Sequence, residues 1–317
     1  MSTPVPAQPG ERLAIRYAGP SGPTESVGEI VALDDVTLTL LPDGAAPLTV
    51  PRAAITAARA VPARVVRPAS PIEDLEMLAA RGWPGAEQVR LGGWLLRAGS
   101  GASRRANSAL PAGDPGLPVA AAVDRVQEWY AERGLRPCVQ LPETLGPRAP
   151  GFRRPPDAVT AALTERGWAS EAPTLMLVGD IRRMAPRATT YPLRAAWADA
   201  PDEPWWQLDG SDAGRRAEAL AAPARYLTVR EQAGGVVAVG RMTVLADWCG
   251  LTNLVVQPGK RGHGHGRWAL EAMLAEAARL GARFAYLQVL EENTVARALY
   301  ETHGCTAHHR YRYWAPQ

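Results

Sequence analysis

Lysine, phenylalanine and cysteine are scarce in this chain: Lys260 is the single lysine among 35 basic residues, and the 317 positions hold two phenylalanines and three cysteines. Three widely spaced thiols, Cys138, Cys249 and Cys305, are too few and odd in number for a disulfide framework. No apolar run reaches the length of a membrane-spanning helix and no signal-like segment opens the sequence, so a cytoplasmic protein with no membrane partner is expected. Charge of one sign is also missing. With 35 basic and 32 acidic side chains the formal net charge is +3, which makes a nucleic-acid partner unexpected. The excess of arginine over lysine, beside abundant Ala, Pro and Gly, reads as base composition of the gene rather than as function.

The length suits two or three domains. Residues 1–10 read as a disordered tail, and 11–60 as a small β-rich unit. Within that unit, short runs such as Arg12–Tyr17, Val27–Leu33, Val36–Leu41 and Leu48–Val50 are separated by Gly-Pro, Asp-Asp and Pro-Asp-Gly turns. Such spacing predicts an SH3-like barrel, a fold too widely used to name a ligand. A Pro/Ala/Arg-rich linker follows at 61–71.

The most informative stretch is Leu254-Val255-Val256-Gln257-Pro258-Gly259-Lys260-Arg261-Gly262-His263-Gly264-His265-Gly266, an apolar strand breaking into a glycine-rich loop ahead of a helix. Glycines let backbone N–H groups approach an anion, and the helix offers its unpaired N-terminal donors. Lys260, Arg261 and Arg267 put charge at the same mouth. The pattern is Arg-x-x-Gly-x-Gly, neither a P-loop nor a dinucleotide fingerprint. Beyond it, Leu270, Met273, Leu274 and Ala277 recur at helical spacing, and Gly281 suits the cap. The β-rich run Phe284–Leu290 comes next. Asn293 then opens a second helix with Val295, Ala296, Leu299 and Tyr300, and Gly304 ends it.

The two motifs together, Arg261-x-x-Gly264-x-Gly266 and Asn293-x-x-Ala296-x-x-Leu299-Tyr300-x-x-x-Gly304, resemble the acetyl-CoA-binding core of GNAT-family N-acetyltransferases. The resemblance is tight over the last third of the chain and looser back to about Met184. It implies an α/β (α+β) GNAT fold, a mixed central sheet flanked by helices, and acetyl-CoA as co-substrate. It implies further that Leu254, Val255 and Val256 bond the pantetheine, and that Arg261, Gly262, His263, Gly264, His265, Gly266 and Arg267 hold the pyrophosphate. Asn293 would contact coenzyme A besides capping its helix, and Tyr300 would be the proton donor to the leaving thiolate. The acceptor would be the amine of a small molecule or peptide. The rival reading is a non-catalytic acyl-CoA sensor or scaffold. The sequence leaves the oligomeric state open.

A fainter echo of the same core runs from Leu117 to Val178. Pro137–Leu141 parallels Leu287–Val289, and Asp157, Val159, Leu163 and Gly167 stand where Asn293, Val295, Leu299 and Gly304 stand later. Ala112-Gly113-Asp114-Pro115-Gly116 replaces the glycine loop with a carboxylate and a proline that lacks an N–H, and Thr164 replaces the tyrosine. These changes predict a degenerate GNAT-like half at 72–180 ahead of a catalytic half at 181–317.

All five histidines, at 263, 265, 303, 308 and 309, fall late in the chain, without metal-ligand spacing, and read as surface residues. Trp205, Trp206 and Trp248 are core aromatics or lining for an acceptor cleft. A glutamate often serves as base in the related enzymes where Gln288 stands here, and an amide takes no proton. Glu231, Asp247, Glu291 and Glu292 remain as unranked substitutes. With Gln288 in place of a glutamate, a weakly basic amine is the expected acceptor.

Overall fold

The computed structural model describes residues 8–317 except 21, 44, 63, 148, 154–155 and 185–191. Residues 1–7 of the expected tail lie outside the described residues. Five antiparallel strands come first: β1 (Arg12–Gly19), β2 (Gly22–Leu33), β3 (Thr37–Pro42), β4 (Leu48–Pro51) and β5 (Ile55–Val61). They pair in the order β4-β3-β2-β1-β5. Alternate residues turn inward, so Leu13, Ile15, Ile30, Leu38, Leu40, Val50 and Ile55 make one separate core. Asp34 shapes the β2–β3 turn by accepting from the N–H of Val36 at 2.8 Å and of Thr37 at 2.6 Å.

Helix α1 (Ile72–Gly82) leads into β6 (Glu87–Leu91), β7 (Trp94–Ala98), β8 (Leu110–Pro111), α2 (Val119–Ala131), β9 (Val139–Glu143), α3 (Asp157–Glu165) and β10 (Trp168–Asp180). The chain continues through β11 (Leu193–Ala198), α4 (Glu203–Asp209), α5 (Ala213–Ala219), β12 (Arg225–Glu231), β13 (Val236–Leu245) and β14 (Trp248–Val256). It ends with α6 (His265–Arg279), β15 (Phe284–Leu290), α7 (Thr294–Thr302) and β16 (Thr306–Pro316). The large sheet runs β11-β12-β13-β14-β15-β10-β16-β9, while β6, β7 and β8 form a smaller one. Among the described residues, β14 and β15 are the one parallel pair of named strands in the large sheet.

The long central strands trade neighbours. β10, which closes the earlier of the two similar segments, lies against β15 from Thr174↔Leu290 to Asp180↔Phe284. β16, which closes the chain, lies against β9 from Arg310↔Glu143 to Trp314↔Val139. The two strands pair with each other in the middle, so β9-β16-β10-β15 reads alike from either end. A parallel bridge between Ala109 and Val139 likewise repeats, in miniature, the parallel contact of β14 with β15.

Helix α6 packs Leu270, Met273, Leu274 and Ala277 onto one face of the large sheet, with Leu175, Leu177, Leu251, Leu287 and Val289 beneath. The other face carries α1, through Leu75, Leu78 and Ala79 on Met176, Val178 and Tyr286, and α4, through Trp205 and Trp206 on Tyr226 and Val239. All three tryptophans singled out in the sequence are buried: the Trp205 indole donates to Leu227 O at 3.0 Å and the Trp248 indole to Val66 O at 3.0 Å.

Three histidines expected at the surface, His303, His308 and His309, are buried instead. A polar chain crosses the interior from Arg97 through Gln140, Glu76, His309 and His308 to the carbonyl of Ser70. Its ends restrict its protons. Glu76 Oε1 and Ser70 O face His309 Nε2 at 2.7 Å and His308 Nε2 at 3.1 Å, and the two rings meet Nδ1 to Nδ1 at 2.7 Å. A carbonyl only accepts, so His308 donates to Ser70 O from Nε2. Burial, followed by the neighbouring His309, pushes His308 down to about 4 from its ordinary 6.5. Between those values the unfolded chain binds the additional proton and the folded chain refuses it. Stability is therefore fully present above pH 6.5 and declines as pH falls toward 4, by about 3 kcal/mol at most from this group. Urea denaturation across that window should show the decline, and His308→Asn should remove most of it.

Candidate active site

Strands β14 and β15 run side by side for four residue pairs, Trp248↔Phe284 to Leu251↔Leu287, and then part although both continue. Beyond Leu251 no strand among the described residues pairs with the edge of β14 that faced β15. Two irregularities coincide there. Val239 pairs with Val255 and Arg241 with Thr252, so Gly240 alone stands opposite Asn253 and Leu254, a β-bulge. Asn253 takes φ 51, a left-handed conformation that asparagine tolerates better than most residues. Leu254 and Val256 turn toward α6 and α7, whereas Val255 joins the cluster under α4.

The loop after β14 makes a 3-10 turn at Pro258–Lys260 and enters α6 through Gly264, whose φ is 83. The N-cap residue Gly264 has no side chain to cap this helix, and a helix N-terminus is where backbone amides meet an anion. The two histidines brace the loop. His263 Nδ1 lies 2.7 Å from Arg261 O and His265 Nδ1 lies 2.9 Å from Lys260 O; a carbonyl only accepts, so each ring donates from Nδ1. Lys260 does not add free charge at the mouth, because it is paired with Glu231 at 2.6 Å. Arg261 bonds Val256 O through Nε at 3.3 Å, and Arg267 is exposed with no ion-pair partner among the described residues.

Helix α7 closes the other side of the gap. Asn293 caps it, accepting from the N–H of Ala296 at 3.1 Å. A Cβ placed on Gly266 would stand 3.4 Å from Val256 Cγ2 and 3.8 Å from Leu299 Cδ2, so the loop, β14 and α7 converge at that point. Tyr300 is half-buried against the α6-side core, and burial, with a smaller contribution from Cys305, pushes its hydroxyl up to about 12. Val295, by contrast, is 82% exposed.

Residues 69–314 match the family described as "Probable histone acetyltransferase Rv0428c C-terminal". The chain belongs to this family. It is 31% identical over 321 residues to the probable histone acetyltransferase Rv0428c of Mycobacterium tuberculosis, with 97% of this chain and 95% of that protein covered. It is 26% identical over 257 residues to an uncharacterized N-acetyltransferase, YobR, of Bacillus subtilis, covering 76% of this chain and 98% of that one. Among solved structures, a GCN5-related N-acetyltransferase from Kribbella flavida shares the fold, with a TM-score of 0.58, 16% identity, and coverage of 78% of this chain and 96% of that chain. The protein is a GNAT-fold acyltransferase.

Carboxylates beside the gap are sparse. Neither β14 nor β15 carries one, and Gln288 stands half-buried in β15 opposite Met176. Glu231 is held by Lys260, Asp247 by Arg67 at 2.6 Å and Glu291 by Arg310 at 3.3 Å; Glu292 is exposed. What the sequence reading missed is Asp209, at the end of α4, whose Oδ1 accepts from Asn253 Nδ2 at 2.8 Å. The one signal for it is an asparagine inside an otherwise apolar strand end, a residue strands disfavour unless a bulge needs it.

The corresponding earlier loop, at 112–116, is closed by hydrogen bonds of its own and to Gly93 and Trp94. Asp114 O accepts from the N–H of Gly93 at 2.5 Å, Gly113 O from the Trp94 indole at 3.1 Å, and Asp114 Oδ1 from the N–H of Gly116 at 2.8 Å. A Cβ on Gly92 would lie 2.4 Å from the Pro115 carbonyl carbon, so no gap remains there. Thr164 spends its hydroxyl on Thr160 O at 2.8 Å.

Gly264 supplies the sharpest test of the later loop. Valine at φ 83 is sterically strained and places a branched side chain where the phosphate would sit. Gly264→Val should keep a cooperative melt while calorimetry shows acetyl-CoA affinity reduced by at least about 100-fold, roughly the loss of 3 kcal/mol of binding.

Proposed function

We propose that the protein is an acetyl-CoA-dependent N-acetyltransferase that transfers acetyl directly to a primary amine, and that residues 181–317 carry the reaction while 72–180 form a cofactor-free counterpart. The observation that carries this reading is the parting of β14 from β15 beside an uncapped, glycine-entered helix. In it, backbone groups of Leu254, Val255 and Val256 bond the pantetheine and polarise the thioester carbonyl. The segment from Arg261 through Gly262, His263, Gly264, His265 and Gly266 to Arg267 cradles the pyrophosphate, and Asn293 flanks the coenzyme.

Tyr300 acts on the leaving sulfur. At about 12 its hydroxyl stays protonated across the working pH range. Moving that proton fully to a thiolate of about 8.5 would be uphill by about 5 kcal/mol, so the residue works by donating a hydrogen bond as charge develops on sulfur. The half-burial that raises its pKa also strengthens that bond.

The test is thiol release from acetyl-CoA over a panel of small amines, peptide N-termini and peptide lysines. Histone protein belongs in the panel because the Mycobacterium tuberculosis relative is named a probable histone acetyltransferase. Amine-dependent release is expected; binding of acetyl-CoA with no release for any amine would favour the sensor reading. Tyr300→Phe should lower kcat by about 100-fold with the acetyl-CoA Kd within about threefold, and Thr164→Ala should change neither.

A further inference from the structure

We propose that Asp209 binds the acceptor ammonium and takes its proton, supplying from α4 the carboxylate that β14 and β15 lack. This rests on the N-acetyltransferase reading. Asp209 is half-buried, its Oδ1 bonded by Asn253 Nδ2 at 2.8 Å and its Oδ2 by the Ser211 hydroxyl. No Arg or Lys among the described residues pairs with it, in contrast to Glu231, Asp247 and Glu291. Each carboxylate oxygen accepts more than one hydrogen, so two neutral donors leave lone pairs for a cation.

Its place in the fold is hard to explain by stability. Asp209 is the last residue of α4, where helical carbonyls converge and a negative side chain is unfavourable by several tenths of a kcal/mol. It is nonetheless held firmly. Asp202 caps the helix from the front, Gly210 closes it at φ 74, and the buried Trp205 anchors it to Leu227. On the opposite side, Asn253 sits at the bulge two residues past the last β14–β15 pair, on the order of 7 Å along the strand from Val255. The Asn253 side chain reaches to α4, whereas Leu254, Val256 and Tyr300 belong to the α6 side. Asp209 and Tyr300 therefore flank the gap from opposite faces, one for the nucleophile and one for the leaving group.

The balance closes. The nitrogen lone pair forms the C–N bond while the C–S bond breaks. Of the two protons an ammonium acceptor sheds, one passes to the Asp209 carboxylate and on to water, and the other leaves with sulfur as the thiol. A bound carboxylate also removes the reason to expect only weakly basic amines: it stabilises the cation on arrival and takes one of its protons, which frees the nitrogen lone pair for attack.

The experiment uses the full chain, acetyl-CoA and the best amine of the panel. Asp209→Asn preserves size and hydrogen bonding; it should lower kcat/KM for the amine by about 100-fold with the acetyl-CoA Kd within about threefold. Asp209→Ala should regain rate on addition of formate, which should not speed the wild type. Wild type active and Asp209→Asn within about threefold of it, or folded Asp209→Ala indifferent to formate, overturns the role of Asp209 alone. Wild type that releases no thiol with any amine overturns the transferase reading and this assignment with it.

Discussion

The rest of the site depends on a parallel strand pair that ends early. Backbone N–H and C=O groups are almost always paired, and an abandoned strand edge invites unwanted pairing. Here β14 and β15 separate after Leu251 and Leu287, and the fold tolerates this because each strand is secured on its far side. β13 continues along β14 as far as Val256, and β10 follows β15 to Leu290. The gap between them is then a fixed feature of two well-paired strands, bordered by Gly266, Leu299 and Tyr300 on one face and by α4 on the other.

That arrangement explains why the earlier segment matters although its own loop is closed. β10 comes from it, and so does β9, which holds the last strand of the chain. Cutting the chain between 180 and 181 would strip β15 of its outer neighbour. The buried run from Arg97 through Gln140 and Glu76 to His309 crosses the same seam, so polar specificity and strand exchange lock the segments together. The two loops differ across that near-symmetry. An uncapped α6 opens one end, whereas the loop at 112–116 is filled by the backbone of Gly92 and Gly93.

Local signals carried the later core in the sequence. Glycine spacing, the Asn293 cap and the helical repeat of Leu270, Met273, Leu274 and Ala277 are properties of short segments, and each stands in the structure where those segments imply. Partners distant in sequence were not legible. The exchange of β10 and β16 is a pairing choice that alternation of apolar residues cannot express, since either strand suits either neighbour. His308 and His309 meet Ser70 and Glu76 across more than two hundred residues, which no local pattern reports. The link from Asp209 to Asn253 was hidden for the same reason, with only an asparagine in an apolar strand to hint at a bulge.

The central claim is that one loop and one strand edge hold the acyl donor. Amide hydrogen exchange on the full chain, with and without saturating acetyl-CoA, measures it at each backbone N–H. Protection is predicted at 252–256 and 262–268, with none gained at 112–116. Protection gained at 112–116, or exchange at 262–268 unchanged at saturation, would contradict the account.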